Sequence, residues 1–262
     1  MIAEIYNKIS QSGSNLHERL EDKLTGDVFG ALRYIPFESG LKPILSRTLL
    51  HRPVEQQRFA AVLSQCSGYD YNITFWKKGR DGEIDMVLET GQALIGIEVK
   101  YISGLSSDDD IDLSEEEKEA VSINQLGRYS RYIGELAINK AKFLLFLAPA
   151  SMGVAVVDNV QARNILHLAV PLGLLTWQEV LLAACEAADT VTDTGQKRVL
   201  GDIRQLLTKK GFEPFRGFAS GLEAVQLPSA SCGYMYRKNK SIQWNSYGTV
   251  GKIGEAHYEY RG

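Results

Sequence analysis

Four ionisable residues of the 262-residue chain are spaced to act on one surface: Glu83 with Asp85, and Glu98 with Lys100. Side chains two apart on a β-strand point to the same face. A turn centred between Gly91 and Gln92 sets Asp85 opposite Glu98 and Glu83 opposite Lys100. Ile84, Met86, Ile95, Ile97 and Val99 then fall on the other face and supply core. Carboxylates and an ammonium gathered this way suit phosphodiester hydrolysis. Carboxylates take Mg2+, which wants oxygen ligands and keeps several waters. The ion polarises a phosphate and lowers the pKa of an attacking water, while an ammonium stabilises charge on the transition-state oxygens. Like charges directly across a sheet repel, so Asp85 facing Glu98 implies a cation between them. The competing reading is an exposed cross-strand ion-pair patch, ordinary on an antiparallel sheet with one solvated face.

The elements that must position these residues follow from hydrophobic period and turn signals. Residues 72–76 are β-rich, Gly79-Arg80-Asp81-Gly82 signals a turn, and residues 83–89 and 93–101 alternate. That pattern predicts an antiparallel meander. Upstream, Leu16, Leu20 and Leu24 predict a helix over 15–24. Thr25 is expected to cap a second short helix through Tyr34, with Val28, Phe29 and Leu32 on one face. A further helix covers 54–65. Downstream, Ser114 and Glu117 form a capping-box pattern before a helix carrying Val121, Leu126, Tyr129, Ile133 and Leu136. Residues 142–150 read as a buried strand and 173–175 as another. Thr176 and Glu179 cap a helix to about residue 188, and 196–210 is amphipathic.

Asp85, followed after twelve residues by Glu98-Val99-Lys100 at the end of an apolar strand, resembles the PD-(D/E)xK nuclease signature. The resemblance implies an α/β fold with a restriction-endonuclease-like α-β-β-β-α-β core, its mixed sheet flanked by helices. The order of elements read above agrees with it. Glu21, in the first helix, looks like the acidic residue many members bring to the metal; Glu18 and Asp22 compete for that role. Gln125 and Tyr129 are similar to the Gln-xxx-Tyr element of RecB-like members, which faces the active site and DNA. Ile84 stands where many members have proline. The likeness runs from about residue 15 to 150. It implies Asp85, Glu98, Lys100, Glu21 and Gln125 as catalytic residues, and Asp85, Glu98, Val99 and Glu21 as ligands of Mg2+, with Mn2+ as a substitute. Glu83 fits a partner of Lys100 better than a ligand. The implied activity is a DNA endonuclease, DNA preferred over RNA, in a bacterial or phage-related defence or restriction-like setting. The alternative is a non-catalytic nucleic-acid-binding or assembly subunit on the same fold, against which the intact Asp85, Glu98 and Lys100 speak.

The net charge of −3 does not exclude a polyanionic partner, because charge is unevenly placed. Residues 106–119 hold eight acids and one base, whereas from 203 onward nine bases face four acids. Local fields steer polyanions more than the total does. The sequence divides into a nuclease-like domain over 1–216 and a Tyr/Gly-rich basic extension over 217–262. In the extension Tyr234, Tyr236 and Trp244 alternate with bases that include Arg237 and Lys238, a composition suited to nucleic-acid contact or to packing on a neighbour. Arg47, His51, Arg52 and Arg58 form a basic helical segment, by default a solvated face. The start of the sequence lacks a secretory pattern, and no apolar stretch reaches the roughly 18–20 residues of a membrane span. Three scattered cysteines give neither a disulfide framework nor a zinc motif. A cytoplasmic protein without membrane contact is expected. No phosphate-binding glycine loop is present, so an ATP-driven step needs a separate ATPase or sensor protein; a homo-oligomer is also open.

Overall fold

Strands β4 (Ala93–Val99) and β5 (Ala141–Ala148) are apolar on both faces and buried along nearly their whole length. Such strands need cover on both sides. The computed structural model describes residues 16–79, 82–101, 115–136 and 139–214, and the side chains of these except 16–19 and 115–124. Within it, β4 and β5 are joined by β1 (Leu49–Leu50), β2 (Tyr71–Gly79), β3 (Gly82–Thr90) and β6 (Leu172–Thr176). The six form one mixed sheet of order β1-β6-β5-β4-β3-β2. β2, β3 and β4 meander antiparallel, β5 and β6 continue parallel to β4, and β1 closes the far edge antiparallel to β6.

Helices cover both faces. On one side lie α1 (Leu16–Leu32), α2 (Leu41–Leu45), α3 (Pro53–Ser64), α6 (Trp177–Thr190) and α7 (Thr194–Lys209). Their Phe29, Ile44, Phe59, Val180 and Ile203 share a core with Ile95, Ile97, Val99 and Leu145. On the other side α4 (Glu115–Glu135) and α5 (Ala150–Arg163) bring Leu126, Tyr129, Ile133 and Val156 against Leu94, Leu144 and Phe146. Gly96 lets α4 approach: a Cβ there would stand 3.0 Å from Ile133. The chain is thus an α/β protein whose mixed sheet is flanked by helices. Among the described residues no helix is long and apolar enough to cross a membrane.

The meander and its register match the pattern read from sequence: Met86 pairs with Ile97, Leu88 with Ile95. The Thr176 cap is also present, its Oγ1 accepting from the Glu179 amide at 3.2 Å. Three features differ. α1 runs unbroken through Thr25, whose hydroxyl donates back to the Glu21 carbonyl at 2.9 Å instead of capping a new helix. Helices α2 and α5 and edge strand β1 were not foreseen, and β1 interrupts the basic segment from Arg47 to Arg58 expected to be helical, where the helix begins only at Pro53. Finally, Ile84 does not share a face with Met86. It belongs to the layer under α4, while Met86 and Leu88 belong to the opposite one. The phase changes at Trp76 and Asp85, where the β2–β3 ladder skips a pair between Phe75↔Met86 and Lys77↔Ile84. Trp76 has a φ of 47°, a left-handed conformation that a bulky residue adopts only under constraint. The Ser114–Glu117 capping pattern and the extension holding Arg237 and Lys238 lie outside the described residues.

Candidate active site

The local kink at Trp76 and Asp85 determines how Asp85 is presented. The β3–β4 ladder runs as far as Met86↔Ile97. Beyond it the Asp85 carboxylate takes over from backbone: Oδ2 accepts from the Val99 amide at 2.8 Å. Asp85 therefore braces the end of β4 where Glu98 and Lys100 emerge. On the other side of the kink the Trp76 indole donates to Asp22 Oδ1 at 2.6 Å. Of the three helical carboxylates in question, Asp22 thus holds the kink and Glu21 turns to the cluster, while the Glu18 side chain lies outside the described ones.

Glu98 lies in the layer under α4, since Ile97 and Val99 point the other way. It is only 2 % exposed. Its Oε1 accepts from Lys100 Nζ at 2.8 Å, and its Oε2 is buried with no hydrogen-bond partner among the described residues. Lys100 Nζ also reaches Glu21 Oε1 at 3.3 Å, while Glu21 Oε2 accepts from the Tyr101 amide at 2.9 Å. The Lys100 ammonium thus bridges a carboxylate from α1 and one from β4. Its backbone is pinned on both sides, the amide donating to the Leu147 carbonyl at 2.7 Å and the carbonyl accepting from Trp177 Nε1 at 2.9 Å.

Charge states follow from this packing. Burial, reinforced by Asp85, pushes the Glu98 carboxyl well above its usual range despite Lys100. Burial also raises Glu21 to about 7, the Asp85 charge adding to it and Lys100 opposing. Burial alone would lower Lys100, but Glu98, Glu21 and Asp85 together hold its ammonium well above the ordinary value. Lys100 is therefore a fixed cation near neutrality. It can donate to negative oxygens.

α4 contributes the last members. Tyr129 is buried against the start of β3, where a Cβ on Gly82 would meet its ring at 3.1 Å. Burial, then the Glu98 and Asp85 charges, raise its phenol, which places it within their field. Gln125, one turn earlier on the same face, has a buried Oε1 with no hydrogen-bond partner. Glu83 faces Lys78 in the β2 ladder, and the carboxylates acting on Lys100 are Glu98, Glu21 and Asp85. Among the described residues, no group of three His, Cys, Asp or Glu side chains is gathered closely enough to hold a metal. The orphan atoms of Glu98 and Gln125 are nonetheless both oxygen acceptors, the donor type a hard cation prefers.

Sequence reading missed Trp177 and the Tyr101 amide. The Thr176 cap announced where α6 begins, but nothing showed that its first residue reaches back to Lys100.

Among known families, the one described as "Domain of unknown function (DUF4143)" matches residues 54–142. That stretch holds Asp85, Glu98, Lys100, Gln125 and Tyr129, while Glu21 and Trp177 lie outside it. No curated protein matches the chain.

Proposed function

We propose that the chain is a magnesium-dependent nuclease of the PD-(D/E)xK type, with a restriction-endonuclease-like core, hydrolysing phosphodiester bonds in DNA. The observation that carries the reading is Glu98: a carboxylate 2 % exposed, with one oxygen on Lys100 and the other without a donor among the described residues. Such an oxygen is poorly placed for stability and well placed for a cation. Glu98 Oε2 would anchor Mg2+ or Mn2+, with Asp85, Glu21 and Val99 expected to close on the ion only as it binds, because without it the three carboxylates are not gathered closely enough. When bound, that ion polarises the phosphate and acidifies the attacking water. Lys100, kept charged, neutralises the oxygens of the transition state. Gln125 and Tyr129 border the substrate on the α4 side. An endonuclease of defence or restriction-like type in the cytoplasm, acting alone, as a homo-oligomer or beside an ATPase or sensor protein, is the setting the resemblance suggests.

One observation favours the second reading, a non-catalytic assembly or nucleic-acid-binding subunit: Lys100 already bridges Glu21 and Glu98, as a structural ion pair would. Incubation with plasmid, linear duplex and single-stranded substrates in Mg2+, Mn2+, Ca2+ or chelator separates the two. The nuclease reading expects cleavage in Mg2+ and Mn2+ and suppression by Ca2+, whose looser geometry acidifies water less. Absence of cleavage in every metal, or equal cleavage in chelator, favours the subunit.

A further inference from the structure

The facing ends of β2 and β3 pack on one flank of α4. A Cβ on Gly79 would stand 2.8 Å from the Tyr132 ring, and one on Gly82 would stand 3.1 Å from Tyr129. The Tyr132 hydroxyl donates to the Lys78 carbonyl at 3.4 Å. Cross-strand partners share a face, and Lys77 pairs with Ile84, which lies in the layer under α4. Lys77 therefore stands on the α4 side of the sheet, two residues from the Tyr132 contact, whereas Lys78 points away and faces Glu83. On α4, Arg128 lies one turn before Tyr132, beside the packed strand ends, and Arg131 continues from Arg128 three residues on, toward the more exposed side of the helix. Arg128 and Arg131 are exposed and Lys77 half-exposed. Among the described residues no carboxylate forms an ion pair with any of the three, although Glu135 follows one turn after Arg131. The same flank leads back along the helix to Gln125, whose buried oxygen has no hydrogen-bond partner.

We propose that Lys77, Arg128 and Arg131 form a track for a phosphodiester backbone, leading from the hairpin along α4 to the Gln125 end of the active site. The ligand class rests on the nuclease reading. Three bases standing beside a carboxylate-rich centre would attract phosphates while that centre alone would repel them. Guanidinium groups take phosphate oxygens in pairs, and residues three apart on a helix present them along one line. The track accounts for how an acidic centre could hold a polyanion.

The experiment measures binding of a fluorescent duplex oligonucleotide by anisotropy, in chelator, over about 0.05–0.3 M KCl. It compares the full chain with Arg128→Ala/Arg131→Ala, with Lys77→Ala, and with Arg198→Ala/Arg204→Ala on α7, a control of equal charge change on the opposite side of the sheet. All replaced side chains are exposed or half-exposed, so melting temperatures stay close to wild type. The α4 double variant is expected to flatten the slope of log K against log salt by about 2 and to weaken low-salt binding at least ~10-fold. Lys77→Ala is expected to flatten the slope by about 1, and the α7 control to leave it unchanged. Equal slopes for the α4 and α7 variants, no binding by the wild type, or equal competition by poly-glutamate would overturn the track, the last pointing to an acidic protein. Cleavage in Mg2+ distinguishes the two ideas. A wild type that cuts, with an α4 variant unchanged in slope and KM, sinks the track and leaves the nuclease. A wild type that binds with the expected slope yet never cuts keeps the track and removes the nuclease.

Discussion

β4 and β5 lie side by side in parallel and are both buried, yet they finish differently. Where β5 places Phe146, β4 places Glu98. Phe146 is fully buried among Ile84, Leu126, Tyr129 and their neighbours under α4 and α5. Glu98 enters the same layer with a carboxyl group, one Lys100 contact and one oxygen without a donor among the described residues. An apolar residue would close that layer, and an ionised carboxylate there costs several kcal/mol unless compensated. The fold therefore asks only for an apolar group at this level. The carboxylate is a local departure from the packing rule, and such departures concentrate where a protein works.

The comparison breaks most visibly if the charge is moved one strand over. Phe146→Glu puts a carboxylate at the same level without a lysine two residues on, and is expected to destabilise by about 4 kcal/mol or more. Circular dichroism during thermal melting reads this. A wild-type midpoint would mean the layer tolerates charge anywhere, leaving Glu98 unremarkable.

A smaller effect is expected at Trp177. Trp177→Phe keeps an aromatic ring against Phe212, which it stacks at 5.5 Å between centroids, but removes the donor to the Lys100 carbonyl. Losing that bond costs about 1 kcal/mol. If the nuclease reading holds, kcat falls while KM stays, because Lys100 shifts and the binding surface does not. An unchanged kcat in a folded variant would leave Trp177 as core alone.

A third effect is a pH slope. In the unfolded chain Glu21 and Glu98 titrate near the ordinary 4.5, whereas in the fold Glu21 rises to about 7 and Glu98 rises well above 4.5. The folded state therefore binds protons more tightly. This contribution to stability is complete below the unfolded value and is lost as pH rises through about 7. The midpoint of the metal-free protein is expected to fall between about pH 5 and pH 8, and Glu21→Gln to flatten the fall. A midpoint rising over that window would contradict the burial of these carboxylates.

The meander was legible because its residues alternate and Gly91-Gln92 leaves one sensible place to turn. β5 was legible from its apolar run, and α6 from Thr176 and Glu179. The kink was not. A left-handed Trp76 leaves no mark on composition, so Ile84 was placed on the wrong face by simple alternation. α5 was hidden because ASMGVAVVDNVQAR carries small and β-branched residues without a strong helical cap. The burial of Glu98 was also missed. Alternation sets Glu98 apart from the apolar side chains of its strand but does not show that a helix covers its face. At 2 % exposure truncation to alanine leaves a cavity, so glutamine is the informative replacement.

The central claim is that the Glu98 carboxylate serves a metal rather than the fold. Its most direct test is calorimetric titration of Mn2+ into wild type and Glu98→Gln, with the thermal midpoint of each as a folding control. Wild type is expected to bind Mn2+, and Glu98→Gln to lose that binding while melting as high as wild type or higher, since Asp85 is relieved of a like charge and Lys100 keeps Glu21. A wild type that takes up no Mn2+, or a Glu98→Gln protein that binds as tightly, would contradict the claim and leave Glu98 as part of a structural ion-pair network around Lys100.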